Sequence, residues 1–256
     1  DWNCCGATSY TSVKKTVAYA ISARNLALAE KTGDDIVAPC SACYYVLNRT
    51  QESLNEQPQL RDDVVAALAE ADLEIEAPPP VRHPLEVLAT DIGIDRILAA
   101  QTNSLEGFRP ACYYGCQIVR PFSALDGDPE IPTVMEDLFA ALGAEPVDYP
   151  PKVRCCGGMM VATFPEVAQE LGDDLTGGAR KRDANCIVTV CPLCQANLDL
   201  DNVNGRKASP GKMPILYFTQ LIGLAIGCTP KELGLQHGLA PIGIEAPPLP
   251  IGSGRS

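Results

Sequence analysis

Much that would define a membrane, nucleic-acid or nucleotide protein is missing from this chain. The longest apolar stretch, residues 215–228, is interrupted by Thr219 and Gln220 and falls short of the roughly 20 residues a helical span needs. No direct membrane span is expected. The opening residues Asp1-Trp2-Asn3-Cys4-Cys5 carry neither the basic region nor the apolar run of a signal segment, so the expected location is cytoplasmic. Long basic runs are absent and the net charge is −12, which argues against nucleic-acid partners. No G-x-G-x-x-G follows a strand-like run and no Walker-type loop is present, so the chain shows no nucleotide site of its own. Thr176-Gly177-Gly178 reads instead as a loop or helix end. Histidine is down to His83 and His237. His83 stands at a helix start, where a surface or helix-packing role is expected ahead of proton donation.

What the chain has in quantity is cysteine, twelve in 256 residues. That is below the density of a small disulfide scaffold, and 46% hydrophobic residues are enough to bury a true core. In a cytosolic protein, cysteines in C-x-x-C spacing are ligands or redox groups more often than structural disulfides. Eight of them follow one ruler laid down twice. Cys4-Cys5-Gly6 is followed by Cys40 and Cys43, and Cys155-Cys156-Gly157 by Cys191 and Cys194. In each copy 34 residues separate the adjacent pair from the C-x-x-C. A spacing kept to the residue over that distance marks two copies of one metal-holding unit. The expected division is a first unit at 1–105, a second at 106–238 and a flexible tail rich in Pro, Gly and Ser at 239–256.

Helices are expected at 9–31, with Gly33 as the stop, and from Cys43 to about Glu56. A short buried strand is expected between them at 34–39. The second copy repeats this order, with a helix at 165–182, a strand at 186–190 and a helix from Pro192. Between the copies, helices are expected at 61–74 and 81–100, divided by Pro78-Pro79-Pro80. A strand at 109–114 opens the second unit. A helix at 132–142, a strand at 145–148 and an apolar helix at 214–226 complete the reading. Strands alternating with helices argue for an α/β protein with parallel strands and flanking helices.

The spacings have a chemical logic. A C-x-x-C at a strand-to-helix junction puts two thiolates about one turn apart, where the helix N-terminus favours negative charge and lowers thiol pKa. Adjacent cysteines diverge, which suits a larger object in which each sulfur meets a different metal atom. The glycines after each pair let the backbone approach closely. In the second unit 38 residues separate Cys116 from Cys155, and counting Cys116 gives five thiolates, one more than a zinc ion takes. Five point to a polynuclear iron–sulfur cluster. The first unit shows four, so zinc remains the alternative there. Paired zinc sites or buried free thiols are the bland alternative for both. Cys112, Cys186 and Cys228 lie outside the ruler and are expected to pack as small core residues, with Cys112 the one placed to join the second site. Met159 and Met160 are expected to pack beside the site. Tyr44, Tyr45, Tyr113 and Tyr114 flank ligands as shields from solvent or, less simply, as proton donors. Arg24, Arg109 and Arg120 are candidates to bind an anionic group, with surface salt bridges as the equal alternative.

The run Cys116, Cys155-Cys156-Gly157, Cys191-Pro192-Leu193-Cys194 resembles the cysteine-rich "CCG" domain. The paired arrangement, with Tyr113-Tyr114-Gly115-Cys116 and the late Leu216-Tyr217-Phe218-Thr219-Gln220-Leu221, is similar to the B subunit of heterodisulfide reductase over nearly the whole chain. The resemblance implies two pseudo-twofold related CCG units, each with a non-cubane [4Fe–4S] cluster held by five cysteines. By that match Cys4, Cys5, Cys40 and Cys43 hold the first cluster. Cys116, Cys155, Cys156, Cys191 and Cys194 hold the second. The family's first cysteine, on a strand ahead of the first Cys-Cys pair, has no counterpart here. The chain is therefore expected to be an N-terminally truncated piece, its first site incomplete or holding zinc.

The implied activity is reduction of a small or protein disulfide to two thiols between the clusters. The implied partners are an electron-transfer protein with cubane clusters, like the C subunit of the family's complexes, and a flavin-bearing protein like their A subunit. A CCG-domain electron-transfer protein beside a fumarate reductase, succinate dehydrogenase, or lactate or glycolate oxidase is the alternative. A zinc-bound scaffold is the third class.

Overall fold

A computed structural model describes residues 2–7, 13–200 and 213–238. The first half opens with α1 (Lys15–Glu30), whose buried side is built from Ala18, Ala23, Leu26 and Ala27. Small side chains let it lie close against the next two helices, α2 (Ser41–Glu56) and α3 (Pro58–Ala69). Gly33 ends the α1 segment in the left-handed conformation, φ +71°. Positions 9–12 of the expected helix lie outside the described residues. Two short strands, β1 (Ile36–Val37) and β2 (Val81–Arg82), pair in parallel with Ile36 opposite Val81. The crossover between them runs through α2 and α3, as a parallel pair requires.

The second half contains β3 (Pro110–Tyr113), α6 (Val134–Ala141), α7 (Pro165–Arg180), β4 (Cys186–Thr189), α8 (Pro192–Leu200), β5 (Ile215–Tyr217) and α9 (Phe218–Ala225). Its three strands form a parallel sheet in the order β3-β4-β5. The protein is thus an α/β fold of parallel sheets with flanking helices. Between the halves lie α4 (Pro84–Val87), a π turn at Leu88–Ile92 and α5 (Ile94–Ala99).

Several expected elements differ. The stretch 81–100 is not one helix. Its first two residues are β2, Pro84 can start a helix but not sit inside one, and Gly93 at φ +78° separates the π turn from α5. Residues 214–226 split into β5 and α9, because periodicity does not separate a short apolar strand from a helix. The helix expected at 61–74 starts at Pro58 and ends at Ala69, with Asp72 turning the chain at φ +54°. The strand at 34–39 shrinks to two residues, of which Val37 is half exposed. Residues 145–148 form no strand, although Glu145 and Val147 donate to the Phe108 and Pro110 carbonyls beside β3. Thr176-Gly177-Gly178 lies within the last turns of α7. The expected tail lies outside the described residues.

The two halves correspond in register as well as in order. Each first-ruler cysteine has its counterpart 151 positions on. Helices α1 and α7 each span 16 residues. Ile36 and Val37 pair with Val81 and Arg82, as Ile187 and Val188 pair with Ile215 and Leu216. His83 therefore occupies the place of Tyr217. Each heads a helix as its N-cap, and its backbone N–H donates to the side chain three residues on, Glu86 or Gln220. No described strand corresponds to β3. The larger hydrophobic cluster takes in both halves, from Leu26, Leu47 and Leu85 to Phe139, Phe218 and Leu221. A smaller one lies in the second half and includes Tyr113, Ile187, Leu198 and three of the ruler cysteines.

Candidate metal centres

The fold gathers both thiol sets at the strand-to-helix edges. In the first set, Cys5 Sγ lies 2.6 Å from Cys43 Sγ, and the thiols of Cys40 and Cys4 are near enough to shift the acidity of Cys43 and Cys5 respectively. In the second, Cys156 Sγ lies 3.3 Å from Cys194 Sγ, and the thiols of Cys191 and Cys155 are near enough to shift the acidity of Cys194 and Cys116 respectively. Across the halves, Cys40 Sγ is 3.7 Å from Cys191 Sγ, so the two sets meet. Cys4 and Cys155 are exposed at the rim, while Cys5, Cys156, Cys191 and Cys194 are buried.

The local backbone explains these positions. Gly6 and Gly157 follow the adjacent cysteines at φ +82° and +81°, a region that disfavours any residue with a Cβ. At Gly157 a Cβ would also stand 2.7 Å from Ala168 Cα. The turn lets the Gly157 N–H reach Cys155 Sγ and the Gly158 N–H reach Cys156 Sγ, each at 3.3 Å. Cys40 is the N-cap of α2, and Cys191 directly precedes α8. The Ala42 N–H, in the first turn of α2, helps to lower the pKa of the Cys191 thiol in the other half.

Thiol acidity splits within each pair, because a thiol donating to a neighbouring thiolate favours one shared proton. Cys43 pulls Cys5 down to about 6, and Cys116 does the same for Cys155. Cys156 is lowered by Cys194, and Cys191 by Cys194 and Cys40. Their partners go the other way. Cys43 is raised by Cys40 and Cys5, Cys116 by Cys155, and Cys194 by Cys156 and Cys191. Cys40 is pushed up to about 11, chiefly by Cys191.

A second layer holds the ligand loops. The carbonyl just ahead of each of the four cysteine motifs accepts a hydrogen bond from a side chain. Asn25 Nδ2 donates to Asn3 O at 2.9 Å and Tyr113 Oη to Arg154 O at 2.7 Å. Tyr217 Oη donates to Pro39 O at 2.7 Å. His83 Nε2 lies 3.1 Å from Val190 O. His83 Nδ1 accepts the Leu85 N–H at 3.1 Å, so Nε2 carries the ring proton and donates it to that carbonyl. Burial lowers His83 to about 4, so the ring is neutral. Of the two roles expected for His83, surface or helix packing, the surface one is corrected: its side chain heads α4 and is wholly buried at the contact between the halves. The Cys116 loop is held differently. Tyr114 and Gly115 donate to Lys152 O, and Lys152 pairs with Glu136. Glu136 in turn accepts from Tyr114 Oη at 2.5 Å.

Other expected residues fall away from the sulfurs. Cys112 and Cys186 are buried on β3 and β4, and burial pushes the Cys186 thiol up to about 12. Cys228 is half-buried and His237 exposed. Tyr44 is buried with its ring 6.3 Å from that of His83. Between the halves lies a cavity of about 430 Å³, lined by Ala7, Tyr45, Arg49, Gln117, Met160 and Phe164 among others. Met159 lines it too and is partly exposed, rather than packed away. Arg24, Arg109 and Arg120 do not line this cavity. Arg24 bonds Asn3 Oδ1 at 2.7 Å, and Arg120 pairs with Glu130 at 2.7 Å. The lining cation is Arg49, which pairs with Glu52.

The donor set fits an iron–sulfur group. Among the described residues no group of three or more His, Cys, Asp or Glu side chains is arranged to hold a single metal ion. The sulfurs stand in close pairs instead, with backbone N–H groups aimed at several of them. Inside the first C-x-x-C, Ser41 Oγ is buried without a hydrogen-bond partner, a donor that a bound sulfide would satisfy.

Fold and site together define a duplicated α/β protein with two thiol-lined centres that meet. The chain belongs to the cysteine-rich domain (CCG) family, which matches residues 1–48 and 111–199. It is 32% identical over 241 residues to the 8-methylmenaquinol:fumarate reductase membrane anchor subunit of Wolinella succinogenes, covering 93% of this chain and 84% of that one. It is 30% identical over 241 residues to the B subunit of the ferredoxin/F(420)H(2)-dependent CoB-CoM heterodisulfide reductase of Methanosarcina acetivorans, covering 92% and 80%. A solved structure, a hypothetical protein from Helicobacter pylori, aligns at TM-score 0.73 and 15% identity over 91% of this chain and 43% of that one, a likeness of fold alone. No helix among the described residues is long and apolar enough to cross a membrane.

Proposed function

We propose that this chain is the iron–sulfur catalytic subunit of a cytoplasmic, heterodisulfide reductase-like complex. It reduces a disulfide to two thiols at paired non-cubane [4Fe–4S] clusters. Residues 1–105 and 106–238 act as its two units. Cys4, Cys5, Cys40 and Cys43 hold one cluster, and Cys116, Cys155, Cys156, Cys191 and Cys194 the other. The observation that carries this reading is the 3.7 Å approach of Cys40 to Cys191, which makes two separately held sulfur sets neighbours. A cluster held by each set would supply one electron, and the two together the pair needed to cleave an S–S bond.

The chain's own residues do the rest. The cavity between the halves is lined by residues that follow both Cys-Cys-Gly runs, Ala7 on one side and Met159 and Met160 on the other. Its apolar wall receives the arms of the disulfide, and Arg49 orients an anionic end. The exposed rim at Cys4 and Cys155 admits water, the source of the two protons the thiols take up. Electrons come from a partner with cubane clusters, itself fed by a flavin protein. The likeness to the B subunit of a heterodisulfide reductase supports this reading.

A second reading, an electron-transfer role within a fumarate reductase-type complex, is supported by the likeness to the Wolinella succinogenes protein. Anaerobic reconstitution followed by iron, sulfide and zinc analysis tests the clusters, and disulfide reduction driven by a reduced viologen tests the activity. Iron and sulfide with disulfide turnover support the first reading. Iron and sulfide without it favour the second, and zinc alone overturns both.

A further inference from the structure

The cross-half hydrogen bonds come as a matched pair. His83 and Tyr217 hold equivalent places, set by the strands that pair with the cysteine-bearing strand of each half. Their acceptors are equivalent too, since Pro39 and Val190 each directly precede the first cysteine of a C-x-x-C. Yet each side chain reaches the opposite half, His83 to Val190 O and Tyr217 to Pro39 O. Carbonyl and following N–H belong to one rigid peptide plane. Fixing the Val190 and Pro39 carbonyls therefore fixes the plane that leads into Cys191 and Cys40.

We propose that His83 and Tyr217 are paired positioning residues that clamp the two C-x-x-C loops together and set the approach of Cys40 to Cys191. Neither touches a reacting atom. Both act through the peptide ahead of a cysteine in the other half. The surroundings suit such a role. The His83 ring lies between Tyr44 and Phe218, at 6.3 and 6.2 Å, and Tyr217 leans on Phe218 at 4.9 Å. Ring packing holds each donor in line while its polar edge reaches across. The bearing of this clamp on turnover rests on the two-centre reading above. The clamp itself is a property of the metal-free chain.

The test therefore uses the metal-free full chain. Brief oxidation with diamide, alkylation and peptide mass mapping give the yield of the cross-half Cys40–Cys191 disulfide. That yield is divided by the yield of the within-half pairs Cys5–Cys43 and Cys156–Cys194. Tyr217→Phe removes one hydroxyl and keeps the ring. His83→Asn keeps a good N-cap acceptor and removes the long-range donor. Loss of one such hydrogen bond is expected to lower the ratio roughly fivefold in each variant, and further in the double variant. General loosening of the fold lowers both yields together and leaves the ratio unchanged.

A ratio unchanged in variants that keep wild-type circular dichroism overturns the proposal. Should His83→Asn fail to fold, Tyr217→Phe decides alone. Because no iron is present, a zinc-only result in reconstitution would defeat the iron–sulfur reading without touching this one.

Discussion

Among the described residues the first half has a two-stranded sheet and the second a three-stranded one, and the given sequence carries four candidate ligand thiols in the first half and five in the second. The extra strand, β3, leads directly to Cys116, and its Tyr113 also caps the carbonyl ahead of Cys155. The difference teaches what each level of structure contributes. The Cys-Cys-Gly turn and the C-x-x-C at a helix start are local, and both halves build them alike. The halves differ in burial at the C-x-x-C. Cys191 and Cys194 are buried, whereas their counterparts Cys40 and Cys43 are only half-buried.

The comparison is tested most severely by serine at equivalent ligands. Cys5→Ser and Cys156→Ser should each remove about half of the bound iron and sulfide. On the proposed function, either should abolish disulfide turnover. Turnover that survived one of them would mean that a single half does the chemistry. With the wild-type chain, a chelator should strip the more exposed first half before the second, seen as two phases in iron release.

A smaller effect is expected at the paired glycines. Both sit in left-handed backbone, which costs an L-residue roughly 1–2 kcal/mol. Among the described residues Gly6→Ala meets Ala18 O, 3.4 Å from the new Cβ, and Ile21 Cγ2 at 3.7 Å, so it should lose about that much. Gly157→Ala also collides with the backbone of Ala168 at 2.7 Å, so its loss should be about 3 kcal/mol or more. Denaturant unfolding of the metal-free chain measures both, and equal losses would erase the distinction.

Acidity gives a finer contrast. Cys5 and Cys155 are both drawn from 9.0 to about 6 by a donating thiol. Each ionises in the folded chain at a pH where the unfolded chain still holds the proton. Their stabilisation is complete above about pH 9 and disappears as the pH falls through 6. The metal-free chain should therefore become harder to unfold between pH 6 and 9. Cys155 is exposed and Cys5 buried, so iodoacetamide should label Cys155 with a midpoint near pH 6 and reach Cys5 slowly. The smallest effect is expected at Arg49. On the proposed function, Arg49→Gln should raise KM for an anionic disulfide severalfold and leave kcat nearly unchanged, since Glu52 already offsets much of its charge.

The ruler carries the thiol sets and the helix starts, because glycine turns and helix N-termini are written in neighbouring residues. The strands are harder to read. Ile36–Val37, Val81–Arg82 and Ile215–Tyr217 are too short to show a period of two. The holding residues are not legible at all. His83 meets an acceptor 107 positions away and Tyr217 one 178 away. Asn25 is an ordinary polar residue in a helix until the fold sets it under Asn3. Arg24, Arg109 and Arg120 stand out in the sequence ahead of Arg49, since nothing in the chain's order tells which arginine borders a space made by two halves.

The reciprocal bonds of His83 and Tyr217 have the form of an isologous contact, in which a position on one copy grips the partner copy and is gripped in return. In a homodimer of a single unit, one gene position would have to supply both grips with the same amino acid. A continuous polypeptide lifts that restriction. Here the two positions have diverged to imidazole and phenol, so this seam can be tuned from one side at a time.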